Sequence, residues 1–476
     1  MVGSKVLTLL NTLSISELNQ LQKYLSSPYF NENSDLLKLF EILTRHLRTG
    51  KKAGPALRKA AVWKALYGKM EYKDIQLRRI NSELTGHVLE FMGLRTYQDR
   101  PFSTLLFSLE AVNQPRLDRH FDGLVRKIQR LSETDGMQDP YYHFYQFKLE
   151  HSLHTHLELS EKKISSFEHL ENADFQLDCF YYAQKLKNYC DLIGYQKSLS
   201  AEASIRLFPG FLDYVEVNGY LRVPVIRMYF LVAKMLLRPE EEAYFFKLKD
   251  MMEAEARQFL PQELKYLFIH IINYCIDTKI NNGRSEYFQE LFAVYRIALE
   301  EGIIFEADEL PINHYKNIIT VGLHVSAFAW IEQFIQQYTG RLPKEHQENA
   351  LNYNLAKVYF HQGKYDSVIE LLREVEYENL VYALGGKLML LKTYYELQEL
   401  AALDSLMDSF RIYLRRNKRL SREAKQQYLN VLRFVKKLSN ADPYDKASLQ
   451  KLQSQIEDCK ALADKVWIMD KMRALV

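Results

Sequence analysis

Residues 355–375 read LAKVYFHQGKYDSVIELLREV and residues 390–410 read LLKTYYELQELAALDSLMDSF, and the two align at a constant offset of 35 residues. The unit that this period repeats is a helical hairpin, two helices joined by a turn. One such hairpin cannot bury its own apolar face, so the repeat implies a stack in which neighbouring hairpins cover one another. Stacks present extended surfaces rather than enclosed pockets, which directs the search for function toward binding.

Composition agrees with a helical chain. Of 476 residues, 47% are apolar and 26% charged, the balance of a globular protein. That length accommodates several ordinary domains or one continuous solenoid. Only 18 glycines and 12 prolines interrupt it, which favours helix nearly throughout. The opening MVGSKVLTLLNTLSISE sets one Lys before a short apolar stretch broken by Asn11 and Thr12, without a small-residue cleavage site, and reads as a helix rather than an export signal. Residues 223–237, VPVIRMYFLVAKMLL, form the longest apolar run, yet they include Arg227 and Lys234 and are too short to span a bilayer. A cytoplasmic location is expected, with Cys179, Cys190, Cys275 and Cys459 reduced. Cys179 and Cys190 fall on one helix about 16 Å apart, too far to bond.

Along the chain, Ser14 and Glu17 form a capping box and Leu13 can staple onto Leu18. Asn33 or Ser34 can start a second helix, Gly54-Pro55 a third, and Asp74 can cap a fourth whose buried face is Leu77, Ile80, Leu84, Val88 and Phe91. These make a bundle over residues 1–97, ended by the break at 97–101. From 102 to 440 helical segments of about 15–22 residues alternate with turn signals at 113–115, 134–136, 171–173, 208–210, 238–239, 281–283 and 340–343. The tyrosine-dense stretches 141–151 and 179–190 read as packing between helices. In 441–476, Leu449, Leu452, Ile456, Cys459, Ala463 and Val466 repeat at spacings of three and four. They predict one long helix, about 40 Å, capping the last repeat. The same spacing is heptad-like, so a monomer is favoured, with a dimer through this helix as the alternative.

Leu355, Ala356, Tyr359, Gly363, Tyr365, Val368, Leu372 and Val375 resemble the signature positions of tetratricopeptide repeats. The second copy departs where Leu391 replaces the small residue and Gln398 the turn glycine, which suggests looser packing there. The SPYFN segment at 27–31 and YLRRNKRLS at 413–421 also resemble those of an uncharacterised family of helical-repeat proteins from Bacteroidota, which carries no activity to transfer. The resemblance implies an all-α protein in which an N-terminal helical bundle precedes a tetratricopeptide-like α-solenoid with a long C-terminal capping helix. It also implies a concave face lined by the first helix of each hairpin. Its ligand-facing positions correspond to Tyr353, Asn354, Lys357, Phe360 and His361, then Leu388, Lys392, Tyr395 and Glu396.

Other candidate chemistry is sparse. In EHSLHTHLE, residues 150–158, His151, His154 and Glu158 share one helical face and could hold a divalent ion, but a fourth ligand is missing and the residues equally suit a solvated face with Glu158 supporting Lys162. Gly385-Gly386-Lys387 lacks the glycine and hydroxyl of a phosphate loop, since Val381 and Leu388 stand in those places. With no nucleophile elbow, paired zinc cysteines or dinucleotide fingerprint, the expectation is a non-enzymatic protein with no cofactor or metal.

Charge is segregated despite a net charge of only +3. Basic residues dominate 45–79 and 411–437, and residues 238–310 lean acidic. Arg422, Lys425, Arg433 and Lys436 fall on one stripe, opposite Tyr428, Val431, Leu432 and Val435, and would attract phosphate or an acidic protein surface. The leading expectation is an interaction scaffold for a protein or peptide, acidic ones included. The alternative is a nucleic-acid-binding regulator with a basic N-terminal domain and a repeat sensor. The connection Gly68–Lys73 is longer than a helix-turn-helix turn, which counts against the latter.

Overall fold

The computed structural model describes residues 4–48, 57–114, 116–134, 139–159, 166–199, 207–373 and 380–475. Helix is the dominant element, and among the described residues the only bridge of β type is an isolated pair, Glu306 with Glu309. The chain divides into two compact units, Met1–Asn188 with Pro209–Ile226, and Tyr189–Phe208 with Arg227–Val476.

The first unit contains α1 (Lys5–Leu10), α2 (Ile15–Ser26), α3 (Ser34–Arg48), α4 (Lys59–Tyr67), α5 (Asp74–Gln98), α6 (Pro101–Asn113), α7 (Asp118–Thr134), α8 (Pro140–Leu159), the start of α9 (Glu168–Leu199) and α10 (Phe211–Val217). Local chemistry explains the starts. Both halves of the capping box form at α2, where the Ser14 N–H donates to Glu17 Oε2 at 2.5 Å and the Glu17 N–H to Ser14 Oγ at 3.3 Å. The Ser14 hydroxyl first, then Arg95 and the Ser14 N–H, lower the pKa of the Glu17 carboxyl to about 2. Asn33 Oδ1 accepts the Asp35 N–H at the start of α3. One apolar cluster, including Leu21, Phe40, Val62, Leu84 and Val88, gathers α1–α5, and a second, centred on Leu109, Phe121 and Ile128, gathers α6–α8.

Two local expectations fail here. Asp74 is the first residue of α5, not its cap, and its carboxylate turns to Lys59 at 2.9 Å and Arg78 at 2.6 Å. The turn expected at 171–173 lies inside α9, where Ala173 is buried. With neither Gly nor Pro in that triplet, a single Asn is too weak a breaker to stop the helix.

The second unit continues α9 and adds α11 (Pro224–Leu237), α12 (Ala243–Ala254), α13 (Pro261–Asn273), α14 (Tyr287–Glu300), α15 (Ile312–His324), α16 (Phe328–Tyr338), α17 (Lys344–His361), α18 (Tyr365–Arg373), α19 (Leu380–Glu396), α20 (Leu400–Arg416), α21 (Arg422–Ser439), α22 (Lys446–Glu457) and α23 (Lys465–Arg473). Helices α15 to α20 form three successive pairs, α15 with α16, α17 with α18 and α19 with α20, and the first helices also touch one another in order.

The three pairs share one turn. At Ser326, Gly363 and Gln398 φ is 56°, 73° and 59°. In each case the turn residue's N–H donates to the carbonyl three residues back, and the next N–H to the carbonyl five residues behind it: Ser326 to Leu323 and Ala327 to Gly322, Gly363 to Phe360 and Lys364 to Tyr359, Gln398 to Tyr395 and Glu399 to Tyr394. This double bond pattern satisfies the last carbonyls of a helix and demands a left-handed residue. Glycine fits at no cost; Ser326 and Gln398 hold the same conformation against it. Seven residues before the turn, Ile319, Ala356 and Leu391 are all fully buried. Gly385 is explained by packing too, because a Cβ there would overlap the Tyr353 hydroxyl.

The C-terminal segment is two helices, not one. Leu449, Leu452 and Ile456 are buried as expected, but the pattern ends there and Val466 is 74% exposed. The break at 458–464 is stabilised by side chains: Asn430 Nδ2 donates to the Ala461 carbonyl at 2.7 Å, and Lys465 Nζ reaches the carbonyls of Glu457 and Cys459. Asp464 turns the chain in a left-handed conformation, φ 49°. Ile468 and Met472 then return α23 to the apolar cluster shared with α21 and α22.

Candidate functional site

The common turn fixes a register for the first helices. Six and two residues before it stand Thr320 and His324 on α15, Lys357 and His361 on α17, and Lys392 and Glu396 on α19. Each couple is separated by four residues and so shares one helical face. The side chains bridge from helix to helix: Lys357 Nζ donates to Thr320 Oγ1 at 3.2 Å, and Lys392 Nζ lies 5.0 Å from the centre of the Phe360 ring.

Electrostatics marks these residues as one surface. Burial, and then the charge of Lys392, lowers the Lys357 ammonium below its ordinary value. His361 is lowered by burial first and then by Lys357, Lys392 and His324, while Asp464 works in the opposite sense. Lys357, Lys392 and His324 therefore all bear on the His361 ring, and cationic side chains gathered in this way favour an anion. Asp464 meets Lys392 Nζ at 2.5 Å.

The nine expected ligand-facing residues divide into groups. Lys357 and His361 remain at the surface of α17. Asn354 is buried, and its amide donates to the Ala350 carbonyl of its own helix at 2.7 Å. Tyr353 packs edge-on against Tyr382, with ring centres 5.3 Å apart, and burial raises its hydroxyl to about 12. Leu388 joins the apolar cluster of the last helices.

Phe360 lies beside Lys392 and edge-on to Tyr365, and the remaining three are approached by the chain's C-terminal segment. Lys392 sits between the rings of Phe360 and Trp467, 5.0 and 5.4 Å from their centres, with its charge on Asp464. Tyr395 is edge-on to Trp467 at 5.4 Å. Glu396 accepts from Trp467 Nε1 at 3.1 Å and from Lys471 Nζ at 2.7 Å. Reading the repeat alone missed Thr320, His324, Asp464, Trp467 and Lys471. The first two were within reach from their 37-residue offset to Lys357 and His361; the last three come from 71 to 75 residues away and leave no local signal.

The other candidates are less convergent. On α21, Lys436 is held by both oxygens of Asp404 at 2.7 and 2.9 Å, and Arg433 lies over the Phe434 ring at 4.5 Å. Arg422 is exposed and Lys425 half-buried, while Val431, Leu432 and Val435 are buried behind them. In the first unit, Lys59 and Arg78 are both engaged by Asp74. His154 meets Glu158 at 3.5 Å, His151 stacks on Phe147, and His156 stacks on Phe121 and bonds Asn113. Lys162 lies outside the described residues, and among those described no group of His, Cys, Asp or Glu is placed to hold a metal ion. No described helix is long and apolar enough to cross a membrane.

No family model matches the chain, and neither a curated protein nor a solved structure shows significant similarity to it.

Proposed function

We propose that this protein is a non-enzymatic interaction scaffold whose tetratricopeptide-like hairpins hold an acidic peptide or protein segment on the face formed by α15, α17 and α19. The observation that carries the reading is the convergence of Lys357, His361, His324 and Lys392 on that face, where Lys357 reaches Thr320, Lys392 lies over Phe360, and the neighbouring cations add to burial in lowering Lys357 and His361. Basic groups gathered at a half-buried surface favour a carboxylate and bond it more strongly than neutral donors would. Phe360 and the aliphatic stems of the lysines supply apolar area beside the charges. Four free cysteines, three of them buried, fit a reducing compartment such as the cytoplasm.

The test is fluorescence anisotropy with labelled hexaglutamate, hexalysine and a single-stranded DNA. Hexaglutamate is expected to bind, more weakly as salt rises, and Lys357→Glu is expected to abolish binding. Equal binding by Lys357→Glu, or no binding of hexaglutamate at low salt, removes the reading. Preferential binding of DNA would instead favour a nucleic-acid regulator using the basic N-terminal unit.

A further inference from the structure

We infer that Lys392 is the second half of the acidic-segment site, and that Asp464 is a carboxylate of the same chain that occupies it until a partner's carboxylate takes its place. This rests on the proposed acidic-peptide reading of the α17 face and extends it to α19.

Three observations point the same way. First, Asp464 occupies the position from which aspartate ordinarily caps the following helix, yet its side chain makes no capping bond to α23. Its carboxylate goes to Lys392 instead, at 2.5 Å. Second, its backbone is left-handed, φ 49° and ψ 45°, a turn conformation that Asp and Asn tolerate better than most residues and that carries the side chain away from α23. With no capping bond to α23, the carboxylate is committed to the distant contact with Lys392. Third, the contact falls at the position that repeats Lys357 on the preceding first helix. The Lys392 charge acts on Lys357, and Asp464 acts on His361.

The geometry suits exchange at Asp464 without loss of α23. Ile468 and Met472 are fully buried and anchor the helix on α21 and α22. Trp467 and Lys471 fasten it to Glu396. Asp464 lies ahead of these anchors, in the turn, with its side chain 30% exposed against 16% for Lys392. An incoming carboxylate therefore has a path to the lysine, and the displaced Asp464 carboxylate can pass to water. The fitting partner is a segment carrying at least two acidic residues, one for Lys357 and His361 and one for Lys392.

The experiment measures hexaglutamate affinity by anisotropy for the full chain and its variants. Asp464→Asn keeps a residue that tolerates the left-handed turn and removes the competing charge. It is expected to tighten binding by at least about fivefold, since a site occupied from within binds in proportion to its free fraction. Asp470→Asn changes net charge equally on the exposed side of α23 and is expected to leave affinity unchanged, as is Asp464→Asn when combined with Lys392→Ala. If wild type binds through Lys357 but Asp464→Asn gives no gain, or if Asp470→Asn gives the same gain, the inference about Asp464 falls while the reading of the α17 face stands. If neither wild type nor Asp464→Asn binds hexaglutamate, both fall. Circular dichroism and the melting temperature of each variant show whether it is folded.

Discussion

The hairpins α17–α18 and α19–α20 have the same turn, the same buried position seven residues before it and lysines at matching places, yet their exposed faces have opposite fates. On the first, Lys357 donates to a threonine hydroxyl, and the described C-terminal contacts leave His361 partly open to solvent. On the second, Lys392, Tyr395 and Glu396 are all engaged by Asp464, Trp467 and Lys471. A repeat register tells which way a side chain points but not whether the direction is vacant. Here α23 and the turn before it occupy positions that the tetratricopeptide resemblance assigns to a ligand.

The buried position offers the strongest way to break the comparison. Leu391 and Ala356 are both fully buried at equivalent sites, one large and one small. Leu391→Ala should leave a cavity between α19 and α20 and cost about 2–5 kcal/mol in chemical denaturation. If the second hairpin is loosely packed, as its departures from the repeat pattern suggest, the value will fall at the bottom of that range. The reverse exchange, Ala356→Leu, should overpack the contact with Val368 and Leu372 and cost about 1–3 kcal/mol. An unchanged melting curve for Ala356→Leu would count against the repeat register that places Ala356 where the two helices of its hairpin meet.

The turn residue sharpens the comparison further. Gly363 and Gln398 make the same two bonds at nearly the same φ. Gly363→Ala should destabilise by about 1 kcal/mol, since only the glycine is free of the left-handed penalty. Gln398→Gly should stabilise by about 0.5 kcal/mol, a smaller effect because the bond from Gln398 Nε2 to the Tyr395 carbonyl is lost with the side chain. A loss of stability in Gln398→Gly would show that this side-chain bond outweighs the strain.

These turns also show how far the sequence could be read. Gly363 announces its turn, so residues 355–375 were legible as a hairpin. Ser326 adopts the same geometry without glycine, and α15–α16 therefore passed unrecognised as a hairpin with the same turn. Arg116 does so again between α6 and α7, with the same bond pattern and φ 54°. The all-helical class was plain from apolar spacing and the scarcity of Gly and Pro. The division of the C-terminal segment was not, because a spacing of three and four persists through Cys459 and Ala463 while the helix ends at Glu457. Among the site residues, Lys357 and His361 follow from the repeat alone. Asn354 does not reach the face because its amide bonds within its own helix, and the cover on Lys392 depends on contacts that only the folded chain makes.

The smallest expected effect concerns protonation, and it separates the two hairpins at one position: His361 in the first, Glu396 in the second. Burial and the neighbouring Lys357, Lys392 and His324 hold the His361 imidazole below its ordinary value of 6.5, against the opposing pull of Asp464. The folded protein thus keeps this ring neutral at a pH where the unfolded chain begins to take up a proton. Its contribution to stability is present above 6.5 and declines as the pH falls below that value, because the unfolded state then binds more protons. A bound anion reverses the preference of the ring. It favours the imidazolium, so binding takes up a proton and affinity for an acidic peptide should rise as the pH falls through the same window, until the peptide's own carboxylates protonate. Replacing His361 with Gln should flatten both dependences. Anisotropy titrations of hexaglutamate between pH 5.5 and 7.5 check this, on the order of one unit either side of the histidine range. A slope unchanged by His361→Gln would place the anion away from α17, and with it the distinction between the open face of the first hairpin and the covered face of the second.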